Sequence, residues 1–190
     1  METQSGNKWR AGLARWAIPE NILEQAPTNP WIHPPVYFQV GDVIADSISH
    51  QRAREEVPKC GSILDNGCGG GVAAFACVPP ATHVIGVDHQ PEMLTMFAQG
   101  AKNRGISSET FEGFWPAIAP EIPKADVVTA HHVVCNVQDI EEFIITMSAH
   151  ALKRVVIEAP QQHPQSRSTP LWKHFWNLER PLATIWWDVV

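Results

Sequence analysis

The residues best suited to do chemistry lie in segment 62–71, which has the sequence SILDNGCGGG. A short apolar run ends there in Asp65, and glycines follow at the alternate positions 67, 69 and 71. This order predicts a buried strand that turns sharply into a helix, with the Asp65 carboxylate at the carboxyl end of the strand. Glycine permits a positive φ and lets a ligand approach the backbone without meeting a Cβ atom. The segment therefore predicts a ligand-binding turn.

The acid at this turn distinguishes between two kinds of ligand. A dinucleotide brings an anionic pyrophosphate to such a turn, and the carboxylate of Asp65 would repel it. The dinucleotide pattern G-x-G-x-x-G/A also requires a small residue at position 72, where this chain has Val72. S-adenosylmethionine (SAM) has no phosphate and presents an ammonium and a sulfonium, so an acid suits it. A nicotinamide site and a glycine-rich turn without a ligand are the alternatives.

A second apolar run, residues 82–87, ends in another acid, Asp88. In doubly wound sheets an acid at the end of the second strand hydrogen-bonds the ribose hydroxyls of a nucleotide cofactor. Asp88 is therefore predicted to bind the ribose of SAM. The alternative is that Asp88 caps the helix that starts near Pro91, a role in which aspartate is common.

Strand and helix patterns alternate through the centre of the chain. The predicted strands are 62–66, 82–87, 108–112, 125–130 and 154–159, and the predicted helices between them are 71–77, 91–104 and 138–152. Helices are also predicted at 19–24, 35–56 and 169–178. The alternation predicts an α/β fold with a doubly wound, mostly parallel sheet and helices on both faces. We expect one domain over residues 1–190, with a helical flank or lid at 1–56, a SAM-binding core at 57–160 and a tryptophan-rich tail at 161–190.

Ligands in such sheets bind beyond the carboxyl ends of the strands. This rule collects the predicted cofactor-binding residues, which are Asp65, Gly67, Cys68, Gly69, Asp88, His89, Gly113, Phe114, Trp115 and His131. Residues 9–38 are expected to fold over these strand ends and to shape the pocket of a second ligand. His131 and His132 are the candidate catalytic bases, because imidazole titrates near neutral pH. The alternative is that one of them bonds the backbone and the other is partly exposed.

Composition excludes several classes of function. The 190 residues carry a formal net charge of −6 and no basic run, so the electrostatic footprint of a nucleic-acid-binding protein is missing. The sequence contains no apolar stretch of about 18 residues and no signal-peptide pattern, so we expect a cytoplasmic protein that acts on a small molecule and not at a membrane. The four cysteines lack metal-ligand spacing, so no metal site is predicted and free thiols are expected.

The pattern D-x-G-x-G-x-G at residues 65–71 resembles, residue for residue, the first motif of class I SAM-dependent methyltransferases. The chain is also similar, from Ile18 to Pro181, to a group of small, mostly uncharacterised actinobacterial methyltransferases. The resemblance implies SAM as methyl donor and S-adenosylhomocysteine (SAH) as product, and it does not indicate the substrate. We expect a small-molecule acceptor. This sequence departs from the family pattern at Phe114, where many members have an aspartate that contacts adenine. A SAM-binding or regulatory protein without turnover is the alternative, followed by an NAD(P)-dependent oxidoreductase.

The end of the sequence departs from the family as well. Class I methyltransferases usually have seven strands, the last two forming an antiparallel edge, whereas only five are predicted here. Either the sheet ends at the fifth strand, or the sequence lacks a final segment. An apolar edge strand needs cover. We expect either the tail, with Trp172, Trp176, Trp186 and Trp187, or a second copy of the chain in a homodimer to cover strand 154–159.

Overall fold

The computed structural model describes residues 3–160, 162 and 164–180. Five parallel strands form one sheet in the order β3-β2-β1-β4-β5. Their bounds are β1 Ser62–Asn66, β2 His83–Asp88, β3 Ser107–Glu112, β4 Ala125–His131 and β5 Ala151–Glu158. The predicted doubly wound parallel sheet is thereby confirmed. Its order reverses between β1 and β4, and open α/β sheets bind ligands at such a switch point.

Helices lie on both faces of this sheet. The α-helices are α1 Gln4–Ala14, α2 Glu20–Leu23, α3 Ile48–Arg54, α4 Val72–Phe75, α5 Pro91–Asn103, α6 Ile140–His150 and α7 Thr169–Trp176. Short 3₁₀ helices occupy Pro35–Phe38, Ala119–Glu121, Val134–Asn136 and Pro164–Ser168. No helix in the described part of the chain is long and apolar enough to cross a bilayer.

The central strands are buried on both faces, as their apolar sequences predict. Successive residues of a strand point to opposite sides. Ile63 and Val127 therefore join one apolar cluster with Phe75 and Phe97. Their neighbours Leu64 and Val128 join the opposite cluster with Phe143, Met147 and three residues of the amino-terminal flank, Trp9, Leu13 and Trp16. The two clusters hold the sheet rigidly enough to fix the loops at its carboxyl edge.

The amino-terminal flank is therefore part of the core. Helix α1, which the sequence did not predict, is capped by Thr3, whose Oγ accepts the Gly6 N–H at 3.1 Å. The Trp9 indole N–H donates to the Val137 carbonyl at 2.7 Å, and Arg10 forms an ion pair with Asp139. Deleting residues 1–34 would remove core side chains, so it would not separate ligand binding from folding.

The prediction of one helix over residues 35–56 is wrong. The chain forms a 3₁₀ turn at Pro35–Phe38, runs without helical structure to residue 47, and becomes helical only at Ile48. The apolar residues at helical spacing do not share a face: Val40 and Ile44 pack against a core cluster, whereas Val43 is 91% exposed. Ser47 starts α3, because its Oγ accepts the His50 N–H at 3.1 Å.

Two further boundaries differ from prediction. The helix predicted at 138–152 ends at His150, and β5 already begins at Ala151, so two residues assigned to the helix lie in the strand.

In the tail, α7 confirms the predicted helix. The Arg180 guanidinium carbon lies 4.3 Å from the centre of the Trp172 ring and 5.7 Å from the centre of the Trp16 ring. The described tail thus contacts the amino-terminal flank. Trp186 and Trp187 lie outside the described residues, and cover of β5 stays a prediction.

Candidate functional site

A cavity of about 470 Å³ lies at the carboxyl edge of the sheet, above the switch point. Nine of the predicted residues line it: Gly67, Gly69, Asp88, His89, Gly113, Phe114, Trp115, His131 and His132. Asp65 and Cys68, also predicted to bind the cofactor, are buried beneath the turn. Topology alone thus brings together loops that are far apart in sequence.

The glycine turn is held tightly on both sides. Gly67, Gly69 and Gly71 have φ values of 68°, 50° and 98°, in the left-handed region that favours glycine. A Cβ atom on Gly67 would lie 2.4 Å from a Val133 methyl, and one on Gly69 would lie 3.1 Å from the Phe38 ring. Gly67→Val would therefore disturb the fold as well as the ligand site, because the added side chain would collide with the loop after β4.

Asp88 connects this turn to the end of β2. One carboxylate oxygen, Oδ2, accepts the Gly69 N–H at 3.0 Å, and the other, Oδ1, accepts the Gln90 N–H at 3.0 Å. A carboxylate offers about four acceptor positions. Asp88 can therefore still accept hydrogen bonds from a diol in the cavity. The N-cap of α5 is Gln90, so Asp88 is not that cap.

Asp65 has a different environment from the one expected. Its carboxylate accepts the Thr129 hydroxyl at 2.9 Å and the Ala74 N–H, so it joins β1, β4 and α4. The side chain faces the interior under the turn, and Asp65 is only 2% exposed. Burial raises its pKa to about 7; the two hydrogen bonds oppose the shift and the charge of Asp88 adds to it.

The loops after β2 and β3 form an aromatic slot. The rings of His89 and Phe114 stack with centroids 4.8 Å apart and an interplanar angle of 18°. Phe114 is 68% exposed, whereas Trp115 is anchored by its indole N–H, which donates to the Phe143 carbonyl at 3.2 Å. The slot offers flat faces to a heteroaromatic ring.

The two candidate bases lie together after β4, but in different surroundings. Burial lowers the pKa of His131 to about 4, and the nearby Glu158 carboxylate opposes this only in part. His132 is exposed to the cavity, and its Nε2 lies 3.0 Å from Glu158 Oε1. The position of Glu158 at the end of the neighbouring strand places it at this edge of the sheet, but the sequence does not indicate its contact with the histidines.

A second compartment adjoins the first. Its volume is about 640 Å³, and the flank supplies most of its apolar lining, including Leu13, Trp16, Ile18, Leu23, Trp31 and Ile32. The two compartments share the lining residues His33, His89, Phe114, Asn136 and Gln138. Among the described residues, no group of three His, Cys, Asp or Glu side chains could hold a metal ion.

The flank is attached to the site by Gln90. Its side-chain oxygen accepts the His33 N–H at 3.0 Å, and its side-chain nitrogen donates to the His33 carbonyl at 3.0 Å. The sequence analysis missed this pair, since a glutamine side chain that binds a distant backbone leaves no pattern in the sequence.

Residues 63–154 match the protein family described as "Methyltransferase domain". A curated relative, the ribosomal protein L11 methyltransferase of Citrobacter koseri, is 27% identical over 138 residues, which are 71% of this chain and 47% of that protein. The chain thus spans about half the length of the curated relatives it matches.

Two solved structures share the fold. A precorrin 8W decarboxylase from Methanobacterium thermoautotrophicum superimposes with a TM-score of 0.53 at 16% identity, covering 80% of this chain and 81% of that one. An rRNA methylase from Streptococcus thermophilus gives a TM-score of 0.50 at 16% identity, covering 58% of this chain and 68% of that one. At this identity the likeness concerns the fold alone.

Asp88→Ala should weaken SAH binding by roughly 2–4 kcal/mol, since the variant loses acceptors for the ribose hydroxyls. Asp126→Ala is the matched control. Its carboxylate also accepts a backbone N–H, that of Ser62 at 2.9 Å, but at the opposite end of the sheet. Calorimetric titration with SAH should show weakened binding in the Asp88 variant only. Equal affinity in wild type and Asp88→Ala would exclude Asp88 as a ribose ligand.

Asp65→Asn should change how stability depends on pH. The folded-state pKa of Asp65 is about 7 against an ordinary 3.8, so between these values the folded protein holds a proton that the unfolded chain releases. The free energy of unfolding of the wild type should therefore fall, relative to the variant, as pH rises from 4 to 7, by on the order of 4 kcal/mol. His131 acts in the opposite direction in both proteins and cancels in the difference. Urea denaturation at a series of pH values measures the difference in the free energy of unfolding between wild type and variant. A difference that does not vary with pH would refute the raised pKa of Asp65.

Proposed function

We propose that this protein is a class I SAM-dependent methyltransferase that transfers a methyl group from SAM to a small molecule. The proposal is supported by the match of residues 63–154 to the methyltransferase-domain family and by the parallel sheet, whose order is β3-β2-β1-β4-β5. When bound, SAM supplies an electrophilic methyl group on a sulfonium and leaves as SAH. The protein's own contribution is to position the two reactants. For well-oriented groups, positioning lowers the activation free energy by roughly 7–11 kcal/mol.

The residues of the first compartment fit this cofactor. The Asp88 carboxylate has acceptor positions left for a ribose diol after binding Gly69 and Gln90. The glycine turn brings bare backbone to the cavity. The stacked rings of His89 and Phe114 supply a flat surface for adenine. A dinucleotide suits the site less well, because a pyrophosphate would lie near the buried carboxylate of Asp88, which lines the cavity.

The observation that carries the small-molecule proposal is the second compartment, roofed by the flank. The described residues that line it include no Lys, Arg, Asp or Glu, and its apolar part is dominated by Trp16, Trp31 and Phe114. A cavity of about 640 Å³ lined in this way suits a largely uncharged molecule of a few rings. The flank packs over the strand ends, where Trp9 bonds the Val137 carbonyl and His33 bonds the Gln90 side chain. A folded protein or an RNA therefore has less room to reach the cavity.

The alternatives predict different products. The named relatives act, according to their names, on a ribosomal protein and on rRNA, so those two macromolecules are the competing acceptors. A SAM-binding protein without turnover would bind SAH and transfer nothing. The cytoplasmic location and the homodimer expected from the sequence stay predictions.

Methyl-tritiated SAM decides among these outcomes. The protein is incubated with the labelled cofactor and either the small-molecule filtrate or the macromolecular retentate of a cell extract. We expect label in an extractable small product from the filtrate, and a strong loss of transfer in Asp88→Ala but not in Asp126→Ala. Label in acid-precipitable protein or in ribonuclease-sensitive material would contradict the proposal. So would SAH binding without transfer to either fraction.

A further inference from the structure

The ends of β4 and β5 bring two histidines and one glutamate together. His131 lies opposite Glu158 in the strand register, and the His132 N–H donates to the Glu158 carbonyl at 2.8 Å. His132 Nε2 lies 3.0 Å from Glu158 Oε1, whereas His131 Nδ1 lies 3.9 Å from Oε2. The closer contact, at hydrogen-bond distance, is the one with His132.

The start of α3 holds the glutamate from its other side. Ser49 donates its hydroxyl to Glu158 Oε2, and the Ser47 Oγ lies 3.5 Å from the same oxygen. Ser47 is itself fixed, since it caps α3 by accepting the His50 N–H at 3.1 Å. Oε2 is therefore occupied by the serines, and Oε1 faces His132.

The two histidines are suited to different tasks. The His131 side chain is 10% exposed, and its ring stacks on His50 with centroids 5.3 Å apart. With its pKa lowered to about 4 by burial, His131 stays neutral and does not hold a proton at neutral pH. The His132 side chain is 57% exposed and lines the cofactor compartment. His132 can therefore exchange a proton with a ligand in the cavity.

The contact with Glu158 also selects the tautomer of His132. A proton on Nε2 would face the carboxylate oxygen 3.0 Å away, and it leaves the lone pair of the ring on Nδ1. Among the described residues, none forms a hydrogen bond with that Nδ1. The backbone of His132 has φ 60°, which is unusual for a residue other than glycine and recurs at functional sites. The bond from its N–H to the Glu158 carbonyl holds it there.

We propose that His132 accepts the proton of the methyl acceptor through Nδ1, that Glu158 is the residue that positions it, and that the acceptor is an aromatic hydroxyl. The inference rests on the proposed function and names its substrate class. A neutral amine attacks through its own lone pair, and a thiol, with a pKa near 8.5, ionises readily without help. A phenol, with a pKa near 10, needs a base at neutral pH and is acidic enough for imidazole to serve. The aromatic second compartment suits its ring.

The step is balanced as follows. The hydroxyl proton passes to Nδ1 of His132, and the Glu158 carboxylate stabilises the resulting imidazolium. The oxygen lone pair forms the new O–CH₃ bond while the methyl–sulfur bond breaks. The electron pair of that bond stays on sulfur, so the products are the aryl methyl ether and neutral SAH. His132 then returns its proton to water.

The first test reads the tautomer without cofactor or substrate. Histidine ¹⁵N spectra of the full chain, with His132→Asn used for assignment, should show Nε2 of His132 protonated and Nδ1 bare. Asparagine tolerates φ 60°, so the assignment variant should fold. Glu158→Gln keeps an acceptor oxygen and should keep this tautomer, whereas Glu158→Ala should give a mixture. A His132 spectrum that is the same in wild type and Glu158→Ala would overturn the positioning role.

The second test measures turnover with a panel of uncharged phenols and naphthols and the matched aromatic amines, followed by SAH release. We expect faster turnover with the hydroxyl compounds than with the matched amines, because the base at His132 activates the hydroxyl group. His132→Asn should lower kcat by about 100-fold and Glu158→Gln by about 10-fold, with KM and SAH affinity unchanged. Glu109→Gln is the matched control, because Glu109 Oε1 contacts His83 Nε2 at 3.1 Å at the edge of the sheet, outside both compartments. It should leave kcat unchanged.

The outcomes separate the two proposals. Faster methylation of the amines than of the hydroxyl compounds, or an unchanged kcat in Glu158→Gln, would overturn the inference and leave the proposed function standing. Tight SAH binding with no turnover on any hydroxyl compound, together with label in another small molecule, would overturn the acceptor class alone. Transfer to protein or RNA would overturn the proposed function, and the ¹⁵N result would still decide the role of Glu158.

Discussion

The site depends first on the hydrogen bond by which the Asp88 carboxylate accepts the Gly69 N–H. It joins the ends of the adjacent strands β1 and β2, next to the point between β1 and β4 where the strand order reverses. The glycine turn has positive φ at three positions, which costs conformational freedom and needs outside support. Asp88 supplies that support from β2, while Asp65 supplies it from below through Thr129 and Ala74. A carboxylate that binds the turn in this way already faces the cavity, so fold and ligand binding share one side chain.

The second constraint is that the amino-terminal flank belongs to the core. Trp9, Leu13 and Trp16 are buried with residues of the central strands, so the flank cannot leave the sheet at low cost. The Gln90 side chain then fixes His33 over the strand ends. One packing arrangement thereby creates both the stability of the domain and the apolar compartment beside the cofactor compartment. The shape of that compartment, and not an additional domain, sets the size of acceptor that we propose.

Local sequence patterns predicted the parts of the site that lie within one strand and its loop. Asp65, the glycines and Asp88 each follow an apolar run, and the parallel sheet brings the strand ends together. The side on which Asp65 lies was not predictable, because it depends on Thr129, its register partner on β4. The contacts of His33 with Gln90 and of His132 with Glu158 join distant segments and leave no local pattern. The helix predicted at 35–56 is wrong for a related reason. Val40 and Ile44 are partly buried by tertiary packing, and their spacing in the sequence matches that of a helix only by coincidence.

The central claim is that the cavity above the switch point binds SAM through Asp88 and the glycine turn. A crystal structure of the protein with SAH tests this claim most directly. We predict both ribose hydroxyls within about 3 Å of the Asp88 carboxylate, the adenine against the His89 and Phe114 rings, and the sulfur on the side of His132. A ribose that contacts other residues, or SAH bound away from residues 67–69, would contradict the account.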